Sequence, residues 1–128
     1  MCRLGQSLKQ IEAIIRREKF PDVDRGLREI GVSGLTVSEG TGRGRAKETE
    51  TLNIRGKWTF THELSHRTKI SIVVEDEDVR RVVDAVVANA STGSAGDGNV
   101  FVIPVERAMN IGSGDPHYDS TLSLFGRR

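Results

Sequence analysis

The chain has 128 residues, of which 36% are hydrophobic and 29% charged, and its formal net charge is +1. These values predict one folded domain, and they argue against a general affinity for nucleic acid or membrane surfaces. Because no apolar run reaches the ~20 residues of a membrane helix and Cys2 is the only cysteine, we expect a soluble cytoplasmic protein without direct membrane insertion.

The first third of the chain predicts a strand, a helix and a second strand. Gln10–Arg16 is short, apolar and rich in β-branched residues, which is typical of a strand. Val23, Leu27 and Ile30 follow helical spacing, and this helix is expected to end at Gly31. The alternating segment Ser33–Glu39 predicts the second strand.

The later part of the chain repeats this order. Lys69–Val74 predicts a buried strand, and the acidic residues 76–78 predict the first turn of a helix. Five valines then recur at helical spacing: Val79, Val82, Val83, Val86 and Val87. Val100–Val105 predicts the last strand, which Pro104 favours as an edge strand or a strand end.

The segment Gly40–Ser65 breaks the pattern, since it is rich in glycine, threonine and charge. We expect a long loop over about residues 40–65, a disordered stub at 1–8, a domain over 9–111 and a mobile tail at 112–128. The element order is that of the α+β, ferredoxin-like βαββαβ fold, in which two helices cover one face of a four-stranded antiparallel sheet. The uncovered face favours a symmetric oligomer.

Residues 92–102, with the sequence TGSAGDGNVFV, resemble the second signature of the PII signal-transduction family, roughly TGxxGDGxxFV. Residues 11–16 and 31–37 are similar to the first two strands of that family, and residues 55–58 (RGKW) echo its first signature. The resemblance covers residues 9–111. It implies a regulator and not an enzyme: a homotrimer with nucleotide sites between subunits and a T-loop that contacts a target protein through Arg55, Gly56 and Trp58.

Two glycine-rich segments suit phosphate. Residues 40–45 (GTGRGR) offer backbone N–H groups and two guanidinium groups, and residues 96–98 form a second such turn. The alternative is that both segments are merely flexible loops. The resemblance implies that the segments hold an adenine nucleotide. The implied nucleotide-binding residues are Ile14, Thr36, Gly42, Gly44, Arg45, Val73, Gly96, Asp97, Gly98 and Asn99.

The sequence departs from the family at three cationic positions. Asn99 stands where most members carry a lysine, and Asn110 and Gly112 stand where they carry arginines. A charge-assisted hydrogen bond contributes roughly 1.5–3 kcal/mol, so a γ-phosphate would be poorly compensated. We therefore predict that ADP or AMP binds at least as well as ATP. The alternatives are an adaptor that binds no nucleotide, or a nitrogen-status regulator that binds ATP and 2-oxoglutarate.

Other departures argue against oxoglutarate sensing. Ala46 stands at the position of the family's glutamine, and Arg67 at that of its lysine. Trp58 replaces the modified tyrosine of the loop. Divergent members with such losses accompany bicarbonate transporters or carboxysomes, so bicarbonate is a candidate anion for Arg43, Arg45 or Lys47, and a transporter or an enzyme is the expected target. No resident cofactor is implied.

The segment His62–His66 matches HExxH, a zinc-hydrolase motif that needs both histidines on one helix and a third ligand. The strand predicted soon after it leaves barely two helical turns, and His117 is the only other histidine. We therefore expect no metal site and no catalytic residue here.

Overall fold

The computed structural model describes residues 7–43, 49–52, 58–61 and 64–112. Short 3-10 turns at Arg17–Lys19 and Asp76–Asp78 lead directly into its two helices. The helices and strands are β1 (Leu8–Arg16), α1 (Phe20–Glu29), β2 (Thr36–Gly42), β3 (Thr49–Leu52), β4 (Trp58–Thr61), β5 (Ser65–Glu75), α2 (Val79–Ala90) and β6 (Gly98–Val105).

The main sheet has the strand order β2-β5-β1-β6, and every pair in it is antiparallel. With both helices packed on one face, this is the ferredoxin-like βαββαβ arrangement that the sequence predicts. Strand β6 lies at the edge of the sheet, where Pro104 can be accommodated without the N–H group that an inner strand would need.

The core lies between the helices and one face of this sheet. Ile11, Ala13 and Ile15 alternate inward along β1, with the first two opposite Ile72 and Ile70 of β5. Both helical patterns in the sequence are confirmed except at Val87, which is exposed on α2; the other aliphatic side chains of the two patterns pack on this face. The buried helix residues of the core are Val23, Leu27, Val82, Val86 and Ala90.

Helix α1 ends in a Schellman motif at Gly31, as the sequence predicts. The Gly31 N–H donates to the Arg28 carbonyl at 3.0 Å, and the Val32 N–H donates to the Leu27 carbonyl at 2.9 Å. Gly31 has a φ of 98°, a left-handed conformation that a residue with a Cβ adopts only at a cost. This turn directs the chain back toward β2.

The prediction of irregular structure from Gly40 to Ser65 is wrong at both ends and in the middle. Strand β2 continues to Gly42, where it pairs with Ser65 at the start of β5. Strands β3 and β4 form a separate two-stranded antiparallel sheet. Backbone pairing extends strands through polar residues and glycine, which a search for apolar alternation does not detect, and the threonines of β3 and β4 favour strands.

The opposite face of the main sheet carries no helix. It presents Gln10, Glu12, Ile14 and Arg16 from β1 and Arg67, Lys69, Ser71 and Val73 from β5. On β6, Phe101 and Ile103 lie on this face and are 46% and 38% exposed. We call it the helix-free face. The oligomer expected from its exposure stays a prediction.

The contribution of the core to stability can be tested by truncating Ile70. It is fully buried in β5, so Ile70→Ala leaves a cavity and should lower the free energy of unfolding by about 2–5 kcal/mol. The control is Val87→Ala, because Val87 is 49% exposed on α2 and its truncation should cost well under half as much. Urea denaturation at one fixed protein concentration measures both; equal losses would contradict this core.

Candidate functional site

The turn between α2 and β6 is organised around one carboxylate. Asp97 Oδ2 accepts hydrogen bonds from the backbone N–H groups of Thr92 at 2.7 Å and Gly93 at 3.1 Å, and Oδ1 accepts one from the Thr92 hydroxyl. The Ser94 N–H donates to Thr92 Oγ1 at 3.2 Å. The first three N–H groups of this segment, residues 92–98, are therefore used internally. We call this segment the glycine turn.

Two arginines of the helix-free face hold the other side of the glycine turn. Arg16 donates from Nε to Asp97 Oδ1 and from Nη2 to the Ala95 carbonyl, both at 3.1 Å. Arg67 donates from Nη1 to the Gly96 carbonyl at 2.7 Å. Because Arg16 and Arg67 are paired across β1 and β5, their guanidinium groups tie three consecutive residues of the turn to the sheet.

Gly98 joins the glycine turn to β6 at a position where no side chain fits. Its φ is +128°, and a Cβ there would overlap the carbonyl oxygen of Ile14. The close approach places Gly98 opposite Ile15 and Asn99 opposite Ile14. Glycine is therefore required here for both conformation and space.

Arg67 also connects the glycine turn with the end of β2. A Cβ on Gly42 would lie 3.5 Å from Arg67 Cγ, so the side chain passes beside this residue before it reaches Gly96. The Ser65 hydroxyl donates to the Gly42 carbonyl at 3.4 Å. Within one chain, the end of β2 and the glycine turn are thus bridged by a single side chain.

The structure brings part of the predicted nucleotide site together. Ile14, Thr36 and Val73 lie on the helix-free face, and Ile14 and Val73 are half-buried. Ile14 adjoins Asn99, which follows Gly96, Asp97 and Gly98 in the glycine turn. Of the other predicted nucleotide-binding residues, Gly42 ends β2, and Gly44 and Arg45 lie outside the described residues. Of the predicted partner-contact residues, Trp58 begins β4, and Arg55 and Gly56 lie outside the described residues.

Sequence reasoning missed Arg16 as a residue of this site. It directly follows the inward-facing Ile15, so strand alternation places it on the helix-free face. Its contact with Asp97 joins residues 81 positions apart, and only the β1–β6 pairing brings them together.

The described part of the HExxH segment, residues 64–66, is not helical, whereas zinc hydrolases need a helix there. Ser65 and His66 belong to the extended strand β5, where His66 is opposite Thr41 of β2. His62 and Glu63 lie outside the described residues. Among residues 7–43 and 64–112, no three histidine, cysteine or acidic side chains gather as metal ligands would.

Hydrogen bonds lower the pKa of Asp97 well below its ordinary value of 3.8. The Thr92 hydroxyl has the largest effect and the Thr92 N–H the next, with smaller effects from Arg16 and the Gly93 N–H, while desolvation opposes them. The carboxylate is thus charged at neutral pH and serves as an acceptor for the turn.

The depressed pKa predicts a pH dependence. Asp97 stabilises the fold fully above the unfolded-state pKa, and this stabilisation is lost as pH falls below about 4 toward the lower folded-state pKa. Asp97→Asn should therefore lower the Tm clearly at pH 6, and this deficit should shrink progressively as pH falls through 3 toward 2. Thermal unfolding of both proteins tests this, because the other carboxyl groups titrate in both. A Tm difference that stays constant between pH 6 and pH 3 would contradict it.

None of the helices in the described ranges is long and apolar enough to cross a membrane.

The family model "Nitrogen regulatory protein P-II" matches residues 8–115. The P-II protein of Microchaete diplosiphon is 42% identical over 113 residues, covering 88% of this chain and 99% of the relative. P-II 2 of Methanothermobacter thermautotrophicus is 43% identical over 108 residues, covering 84% and 92%.

The fold agrees with these relatives. The crystal structure of Arabidopsis thaliana PII bound to citrate superposes with a TM-score of 0.67 at 27% identity, covering 87% of this chain and 86% of the plant protein. The chain therefore belongs to the PII nitrogen regulatory protein family, whose members are regulatory signal-transduction proteins and not enzymes.

Proposed function

We propose that this chain is a homotrimeric, cytoplasmic regulator that binds an adenine nucleotide at the glycine turn and signals to a target protein through residues 40–65. PII proteins are trimeric regulators that bind nucleotides and target proteins. The observation that carries the proposal is the ordered glycine turn at the end of the helix-free face. Among the described residues, the N–H groups of Ala95 and Gly96 have no acceptor, and Asn99, which is opposite Ile14 of β1, follows directly after the turn.

The proposed preference is for ADP or AMP over ATP. The guanidinium groups of Arg16 and Arg67, the two arginines that contact the turn, are already bound to its carbonyl and carboxylate oxygens. Asn99 is exposed and neutral, so it adds no charge for a third phosphate. Without a further cation beside the turn, a γ-phosphate would gain less from binding than it loses in hydration.

The second ligand in this proposal is bicarbonate, and the target is a transporter or an enzyme of inorganic-carbon metabolism. Arg43, Arg45 and Lys47 supply the positive charge for a small anion, and Arg43 is exposed directly after β2. The oxoglutarate alternative requires a free cation at position 67. Arg67 keeps its charge but directs one N–H to the Gly96 carbonyl, and this orientation toward the glycine turn is our reason for preferring the bicarbonate version.

Calorimetric titration of the purified protein with AMP, ADP and ATP tests the sensor. We expect micromolar binding of ADP or AMP, ATP no tighter than either, and a loss of at least tenfold in Arg45→Ala, because one charge-assisted contact accounts for about that factor or more. Arg80→Ala is the control, since Arg80 is 91% exposed on α2. Each titration is repeated with bicarbonate and with 2-oxoglutarate.

Each alternative has its own outcome. ATP binding that is tenfold tighter than ADP binding and strengthened by 2-oxoglutarate would replace this proposal with the nitrogen-status regulator. Absence of binding by all three nucleotides would leave the adaptor. Protection of residues 40–65 from proteolysis by ADP would show that the site communicates with the loop; the adaptor predicts no such protection.

Position 99 offers a gain of affinity. Asn99→Lys places an ammonium group beside the glycine turn and should strengthen ATP binding at least tenfold relative to AMP, since the added charge matters most for the most charged ligand. The matched control is Ala88→Lys, which adds the same charge on an exposed position of α2. Calorimetry measures both; an equal gain for AMP and ATP would contradict a phosphate-facing position.

A further inference from the structure

The ion pair between Arg16 and Asp97 differs from most others in the described part of the chain. Those on the helices join neighbours three or four positions apart, with one or both side chains well exposed. The Arg16 and Asp97 side chains are only 28% and 22% exposed, and they join β1 to the glycine turn across 81 positions. Such a pair holds tertiary structure in place.

The two partners depend on each other chemically. Asp97 is the internal acceptor for the N–H groups of Thr92 and Gly93, a position where backbone turns often bind an external anion. The Arg16 guanidinium balances this carboxylate and also binds the Ala95 carbonyl. If either side chain of the ion pair is removed, the other stays half-buried but loses its oppositely charged neighbour. The loss of this contact loosens the turn.

We propose that Arg16 and Asp97 are positioning residues that preset the glycine turn before a nucleotide arrives. This inference rests on the proposed function for its consequence but not for its structural part. Asp97 organises the near side of the turn and does not contact phosphate, since its oxygens already accept from Thr92, Gly93 and Arg16. The N–H groups of Ala95 and Gly96 remain for the ligand.

A preset turn binds more tightly because the ligand does not have to order it. If Arg16 and Asp97 act only together, losing one removes most of the benefit and losing the second adds little. If Arg16 instead contacted a phosphate directly, its loss and that of Asp97 would have separate effects on affinity, and these effects would multiply.

The structural part is tested on the full chain without nucleotide. Amide hydrogen exchange at Thr92 and Gly93 should become about tenfold faster in Asp97→Asn and several-fold faster in Arg16→Gln, with Arg16→Lys between the wild type and Arg16→Gln. The matched controls are Arg28→Gln and Asp24→Asn, because that helical pair has nearly the same geometry, with Nε and Oδ2 3.0 Å apart. They should leave both exchange rates unchanged.

The functional part is a double-mutant cycle on ADP affinity. Arg16→Gln, Asp97→Asn and the double variant should each weaken ADP binding by a similar factor of about ten, so that the two losses do not multiply. Unchanged exchange rates in the single variants, or losses that multiply in the double variant, would overturn the proposal. If the wild type bound no adenylate, the proposed function would fail while the exchange measurement would still decide whether the pair presets the turn.

Discussion

The register of β1 between β5 and β6 is the constraint on which the site depends. It places Ile11, Ala13 and Ile15 in the core, and the next residue, Arg16, must then lie on the opposite face. The same register sets Arg16 against Arg67. A slip of one residue would exchange the two faces, exposing the core and burying the charges, so the hydrophobic face fixes the position of the arginines.

One face of the sheet thus supplies stability, and the other supplies the candidate site. The helix-covered face holds its aliphatic side chains in a closed core. On the helix-free face, polar side chains find some of their partners within the sheet. Gln10 Nε2 donates to Ser71 Oγ at 3.0 Å, and Lys69 Nζ lies 4.0 Å from Glu12 Oε2. The β1–β6 pairing brings the glycine turn to the end of this face, and Gly98 permits the close backbone contact there.

Much of the fold could be predicted from the sequence, because apolar side chains determine β1, α1, α2 and β6. The extension of β2 to Gly42 and the hairpin of β3 and β4 could not, because backbone hydrogen bonds form them with few apolar side chains. In the candidate site, a family resemblance predicted Gly96–Asn99 as nucleotide-binding residues, and that role stays a prediction. The role of Arg16 required knowledge of which strands pair, which no local pattern contains.

The charge balance of the glycine turn constrains how a nucleotide could be recognised. Arg16 and Arg67 both donate hydrogen bonds to the turn, and the Asp97 carboxylate offsets one of these positive charges. Under the proposed function, affinity then depends on two backbone N–H groups, on apolar contact with side chains such as Ile14, and on whatever the arginines of residues 43–45 add. Backbone N–H groups are fixed donors whose individual hydrogen bonds are of modest strength. The proposed preference for less charged adenylates and the proposed presetting of the turn thus rest on the same contacts of two arginines.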